Sequence, residues 1–98
     1  MNKLITTQKA IDVAKVFKAL GHPVRTQIVF GLLDRECNVK HMTECLRVPQ
    51  AGVSQQLAVL RAAGVVEYTR KGNQVCYRVS KPWLRKLVRT IASSNEEL

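Results

Sequence analysis

The sequence predicts a mainly α fold with a small β-hairpin, and three observations carry that prediction. Apolar residues recur at helical spacing in five separate stretches. After Gly64 the period shortens from 3.6 to 2 across two runs rich in Val and Tyr. At 98 residues and 46% hydrophobic content, the chain is long enough for one core and too short for two.

The first helix covers residues 8–20, with Ala10, Val13, Phe17 and Leu20 on its expected inner face and Lys9, Asp12, Lys15 and Lys18 elsewhere. Gly21 ends it, and His22-Pro23 opens the second helix. Pro23 suits a first turn, where its missing N–H has no intrahelical partner, and His22 helps to cap. Ile28, Leu32 and Leu33 face inward until Asp34-Arg35-Glu36. A short third helix spans about Asn38 to Arg47, with Asn38 as N-cap and Val39, Met42 and Leu46 as its buried stripe. The turn Val48-Pro49-Gln50 leads into a fourth helix, residues 51–63, with Val53, Leu57 and Leu60 inside and Gly64 as its stop.

Two helices joined by a tight turn, over about residues 38–63, read as a helix-turn-helix. Residues 65–70 and 74–79 flank Lys71-Gly72-Asn73 and should pair as a hairpin, giving a basic wing over about 65–79. Ser80 is placed to cap a last helix from about Pro82, with Leu84, Leu87, Val88 and Ile91 along one side. The whole chain, 1–98, is thus expected to form a single winged helix-turn-helix domain.

Sixteen Lys and Arg against seven Asp and Glu leave a net charge of +9, which attracts polyanions. No apolar run approaches the ~18–20 residues of a membrane helix, and Met1–Thr7 lacks the apolar core of a signal peptide. The expectation is a cytoplasmic protein with no membrane partner. Phe17, Phe30, Tyr68, Tyr77 and Trp83 are too few to build stacking platforms for single strands. Two histidines, no Gly-rich phosphate loop and no paired carboxylates argue against an enzyme. Charge alone would permit a non-specific architectural or RNA-binding protein. Such a binder would need neither the segment Ser54-Gln55-Gln56 nor a short wing.

Over about residues 10–92 the chain resembles the ArsR/SmtB family of winged-helix transcriptional repressors. The resemblance rests on three stretches together: Phe17-Lys18-Ala19-Leu20-Gly21-His22-Pro23-Val24-Arg25; residues 53–66, from Val53-Ser54-Gln55-Gln56-Leu57 to Ala63-Gly64-Val65-Val66; and Arg70-Lys71-Gly72 with Tyr77-Arg78-Val79. It implies a homodimer joined through the first and last helices, about 8–20 and 81–92, and bound to operator DNA near a promoter. The inducers it implies are metal ions, arsenite or thiol-modifying species.

A recognition helix lies close to base edges, so small residues at its start and amides or hydroxyls beyond them suit the groove. Gln50, Ala51, Gly52, Ser54, Gln55 and Gln56 meet that description. Lys40, Thr43 and Arg47 before the turn, Arg61 further along, and Arg70, Lys71 and Asn73 at the wing are candidates for backbone or minor-groove contacts on double-stranded DNA. The plainer alternative is a solvated polar face. A dimer would read an inverted repeat with half-sites about one helical turn apart.

Three cysteines, an odd number, are expected as thiols in a reducing compartment. The Cys-x-Cys pair that metal sensors of the resembled family often carry on the third helix is absent, and residues 82–92 hold no His, Asp, Glu or Cys. Cys37, His41 and Cys45 are spaced four and four and would share a stripe if the helix reached back to Cys37, a donor set suited to Zn²⁺ or Cu⁺. Positions about 6 Å apart, with the outer pair about 12 Å apart, could not all reach one ion unless the helix start unwinds. Cys76 belongs to the second hairpin strand, on the face opposite Val75 and Tyr77, and is expected to be more exposed than they are. The cysteines are either an inducer site, for arsenite, a soft ion or persulfide modification, or bystanders packed as small apolar groups.

Overall fold

The computed structural model describes residues 4–33 and 37–94, the side chain of Cys37 excepted. Its elements are α1 (Thr7–Leu20), α2 (Pro23–Gly31), β1 (Cys37–Asn38), α3 (Val39–Leu46), α4 (Gln50–Ala62), β2 (Val66–Lys71), β3 (Gln74–Val79) and α5 (Pro82–Ala92). The order is the one expected, with one addition. β1 pairs with β3, so the hairpin is part of a three-stranded sheet in the order β1-β3-β2. Two residues are too few to show a period, which is why that strand left no trace in the sequence pattern.

The helix boundaries follow from local chemistry. Thr6 accepts a hydrogen bond from the Lys9 N–H at the start of α1, His22 Nδ1 accepts from the Val24 N–H at the start of α2 (3.1 Å), and Asn38 Oδ1 accepts from the His41 N–H at the start of α3 (2.8 Å). At the end of α4, Gly64 takes φ +75° and the Val65 N–H bonds back to the Leu60 carbonyl at 2.9 Å. That arrangement closes a helix best with glycine. The second helix, expected to run inward to Asp34-Arg35-Glu36, ends sooner, at Gly31 with Leu32 as its C-cap, whose N–H donates to the Ile28 carbonyl; residues 34–36 themselves lie outside the described residues.

One core unites the elements. Val16, Ala19, Ile28, Val29, Leu32, Met42, Val53, Leu57, Leu60, Val65, Val79, Leu84 and Val88 are buried together. This corrects the expected face of the first helix. Val16 and Ala19 point inward, whereas Ala10 is exposed and Phe17 is 53% exposed. Both stripes of α1 are apolar, and its contacts with α2 and α4 select the one centred on Val16 and Ala19. In α5, Leu84 and Val88 are buried but Leu87 and Ile91 are exposed. Ser80 does not cap α5, whose N-cap Lys81 makes no side-chain bond. The Ser80 hydroxyl donates instead to the Gly64 carbonyl, and its N–H donates to the Val65 carbonyl at 2.9 Å, pinning the base of the hairpin. Lys71 pairs with Gln74, so the turn is the two residues Gly72 and Asn73, with Gly72 at φ +61° where a left-handed residue is required. Among the described residues no helix is long and apolar enough to cross a membrane.

Candidate nucleic-acid interface

Helix α4 turns Val53, Leu57 and Leu60 into the core and leaves Gln50, Ala51, Ser54, Gln55, Ala58, Arg61 and Ala62 exposed. The outward face is therefore low at Ala51, Ala58 and Ala62, with hydrogen-bonding groups at Gln50, Ser54 and Gln55. No side chain caps the first turn of α4, which follows Pro49. Its free N–H groups and the helix dipole favour an anion there.

The turn into α4 is tight for two reasons. Arg47 closes α3 in the left-handed region, at φ 56° and ψ 35°, with its N–H on the Thr43 carbonyl (3.0 Å). A Cβ on Gly52 would lie 3.1 Å from Val48 Cγ1, so this glycine lets the helix start pack against the turn. Gly52 is half-buried on that side, a spacer between the helices more than a surface group.

The remaining candidates divide into two sets. Lys40, Arg47, Arg70, Lys71 and Asn73 are exposed. Thr43 is half-buried and its hydroxyl donates to the Val39 carbonyl at 2.8 Å. Gln56 turns away from the outward face, its Oε1 accepting from Arg25 Nη1 at 2.9 Å, while Arg25 Nε bonds to the Ala19 carbonyl. Arg25 thus clasps the recognition helix to the end of α1. Sequence pattern gave no sign of this, because the partners lie 31 positions apart. The Arg61 guanidinium lies over the Tyr68 ring, 4.2 Å from its centroid, and Tyr68 packs against Tyr77 at 5.7 Å. The last turn of α4 is thereby joined to the wing. Asn38, besides capping α3, donates to Gln74 Oε1 (3.3 Å) and joins α3 to the same hairpin.

Cys45 and Cys76 lie on different elements, α3 and β3. Cys37 lies in β1, before α3 begins, so the three-residue helical stripe with His41 and Cys45 does not form. Asn38 faces Cys76 across the β1–β3 pair, and Cys37 faces Tyr77. Cys45 Sγ and His41 Nε2 are 3.5 Å apart on the exposed side of α3. Among the described residues no group of three or more His, Cys, Asp or Glu is placed to hold a metal ion. Cys76 is half-buried, as are Val75 and Tyr77, because β3 is the middle strand and is flanked on both sides.

A helix-turn-helix whose second helix is low and polar outside, joined to a basic hairpin, defines a winged-helix DNA-binding protein. Residues 22–68 match the family described as bacterial regulatory protein, arsR family. The biofilm growth-associated repressor of Xylella fastidiosa strain Temecula1 is 36% identical over 84 residues, which are 86% of this chain and 74% of that one. The crystal structure of the transcriptional repressor BigR from Xylella fastidiosa superposes with a TM-score of 0.80 at 33% identity, covering 93% of each chain. The solution structure of the homodimeric winged helix-turn-helix DNA-binding domain Mb0332 from Mycobacterium bovis has a TM-score of 0.78 at 26% identity, covering 94% of this chain and 87% of that one. The chain belongs to the ArsR family of DNA-binding transcriptional regulators.

Proposed function

We propose that the protein is a homodimeric repressor whose two α4 helices read an inverted-repeat operator on double-stranded DNA and that an inducer acting through cysteine thiols releases it. The observation that carries the reading is the exposed row Gln50, Ala51, Ser54 and Gln55 on α4, set beside the exposed wing cations Arg70 and Lys71. Gln55 is suited to a paired contact with adenine, Ser54 and the uncapped α4 N-terminus to phosphate, and Arg70 and Lys71 to the backbone or minor groove. Lys40, Thr43, Arg47, Arg61 and Asn73 would border this surface.

Dimerisation through α1 and α5 is supported by what the single chain leaves uncovered. Ile11 and Phe17 of α1 and Trp83, Leu87 and Ile91 of α5 are all exposed large apolar side chains. Val13 and Trp83 line one groove between the two helices. A second copy that buries these groups removes the largest apolar cost of the isolated chain. The homodimer of Mb0332 is in keeping with this.

The thiol part of the reading rests on the exposed Cys45 beside His41, a sulfur and a nitrogen suited to a soft ion or to arsenite. The test is fluorescence anisotropy of the reduced protein on its upstream intergenic DNA, with arsenite, Zn²⁺, Cu⁺ and a polysulfide donor added in turn. Release by one species, abolished by Cys45→Ser, Cys37→Ser or Cys76→Ser, supports a sensor and names the thiol. Specific binding that ignores every additive leaves a repressor with bystander cysteines. Gln55→Ala should cost about 1–3 kcal/mol and relax base preference, whereas Lys71→Ala should weaken all duplexes alike. Equal losses for Gln55→Ala on specific and random duplexes would remove its assigned role.

A further inference from the structure

We infer that Lys15 and Lys18 of α1 form a second DNA-backbone contact surface, flanking α4 on the side away from the wing. The inference rests on the DNA-binding reading above and extends its footprint onto a helix otherwise assigned to dimerisation.

The recognition helix has two flanks. On one, Arg61 lies over Tyr68 and leads to the wing. On the other run Gln56, Val59 and Ala63, the row that faces α1. There Lys15, Lys18, Ala19, Arg25, Val59, Ala62 and Ala63 line one open groove between α1 and α4. Ala62 belongs both to this groove and to the outward face of α4, so the two surfaces are continuous.

An α-helix with its side chains is about 10–12 Å across and the major groove about 12 Å wide, so a helix seated there has a phosphate strand along each flank. The wing side of α4 is supplied with cations. The α1 side meets the same need with Lys15 and Lys18, three positions apart and therefore on one face of α1. Both are exposed, and neither has a carboxylate partner among the described residues. None of the groove's lining residues is acidic.

The floor suits a sugar-phosphate chain as well. Between the lysines and Arg25, which is tied back to Ala19 and Gln56, the floor is Val59, 39% exposed, beside Ala19, Ala62 and Ala63. Low apolar side chains let deoxyribose approach while the two ammonium groups reach the phosphates on either side. Arg25 holds this geometry. Bonded to both the Ala19 carbonyl and Gln56, it fixes the spacing between the lysines and the recognition helix, and acts here as a positioning residue.

The test uses a labelled duplex selected by the wild-type protein from a random pool, together with a random duplex of equal length, titrated across a salt series. Each phosphate contact contributes about 0.9 to the slope of log affinity against log salt. Lys15→Ala/Lys18→Ala should lower the slope by about 1.8 per protomer and weaken both duplexes, by about tenfold or more at low salt. Lys15→Gln/Lys18→Gln should do the same, and Lys15→Arg/Lys18→Arg should restore the slope. Lys86→Ala, at an exposed position on α5, a helix that packs on α2 and β3, removes a positive charge from outside the groove and should leave the slope unchanged. Thermal unfolding of each variant checks that the fold is kept. A slope for the double variants equal to that of Lys86→Ala overturns the inference while leaving operator binding by α4 intact. Absence of salt-dependent binding by the wild type overturns the DNA reading itself, and this surface with it.

Discussion

Replacing Arg47 by glycine should stabilise the protein and weaken its hold on DNA. Arg47 sits at φ 56°, the one residue other than glycine at positive φ among those described. A side chain in that region costs about 1–2 kcal/mol, because Cβ crowds the following carbonyl oxygen. Glycine removes the clash and keeps the N–H that bonds to the Thr43 carbonyl. It also enlarges the conformational freedom of the unfolded chain, which takes back about 0.4–1 kcal/mol. At the mid-values of these two ranges the net gain is about 0.8 kcal/mol, or a rise in Tm of roughly 3–6 °C for a domain of this size. Calorimetry at one fixed protein concentration measures it, since a dimer's Tm moves with concentration. Anisotropy against salt should show the opposite sign, with the slope reduced by about 0.9 per protomer if the exposed guanidinium holds a phosphate. A Tm that falls or stays level would refute the strain argument. An unchanged slope would refute the placement of Arg47 at the backbone.

Two further outcomes follow from the same structure. Leu87→Glu puts a charge into the apolar stripe of α5 without touching the buried Leu84 and Val88; if the proposed α1–α5 interface holds, sedimentation equilibrium should show a dimer for the wild type and a folded monomer for the variant at the same concentration, and a dimer persisting in the variant would place the interface elsewhere. His22→Ala removes the acceptor for the Val24 N–H and should lower the urea midpoint by the equivalent of about 1 kcal/mol at constant m, with no loss meaning that water caps α2 equally well.

How much of this was legible in the sequence depended on whether a feature was local. The caps at His22 and Asn38, the stop at Gly64 and the turn around Gly72 each follow from chemistry within a few residues, and each stands where the pattern put it. The switch of period after Gly64 located the hairpin. Features that depend on a distant partner were not legible. Val16 and Ala19 were not distinguishable from Ala10 and Phe17 as the inner face of α1, since only packing on α2 and α4 decides between two apolar stripes. Gln56 reads as an outward amide until Arg25 is seen to hold it. The spacing of Cys37, His41 and Cys45 suggested one stripe, but the short strand at Cys37 takes the first member out of the helix.

The base of the wing is closed by its own bonds. Val65 at its entry and Ser80 at its exit are bonded to each other, and the Ser80 hydroxyl reaches back to Gly64. The Gly72-Asn73 tip lies beyond the contacts that Tyr68 makes with Arg61 and Gln74 with Asn38, so it can change sequence without disturbing those anchors or the start of α5. Natural variation, or deliberate grafting, at that tip can therefore adjust how far the wing projects while the exposed row of α4 stays where it is.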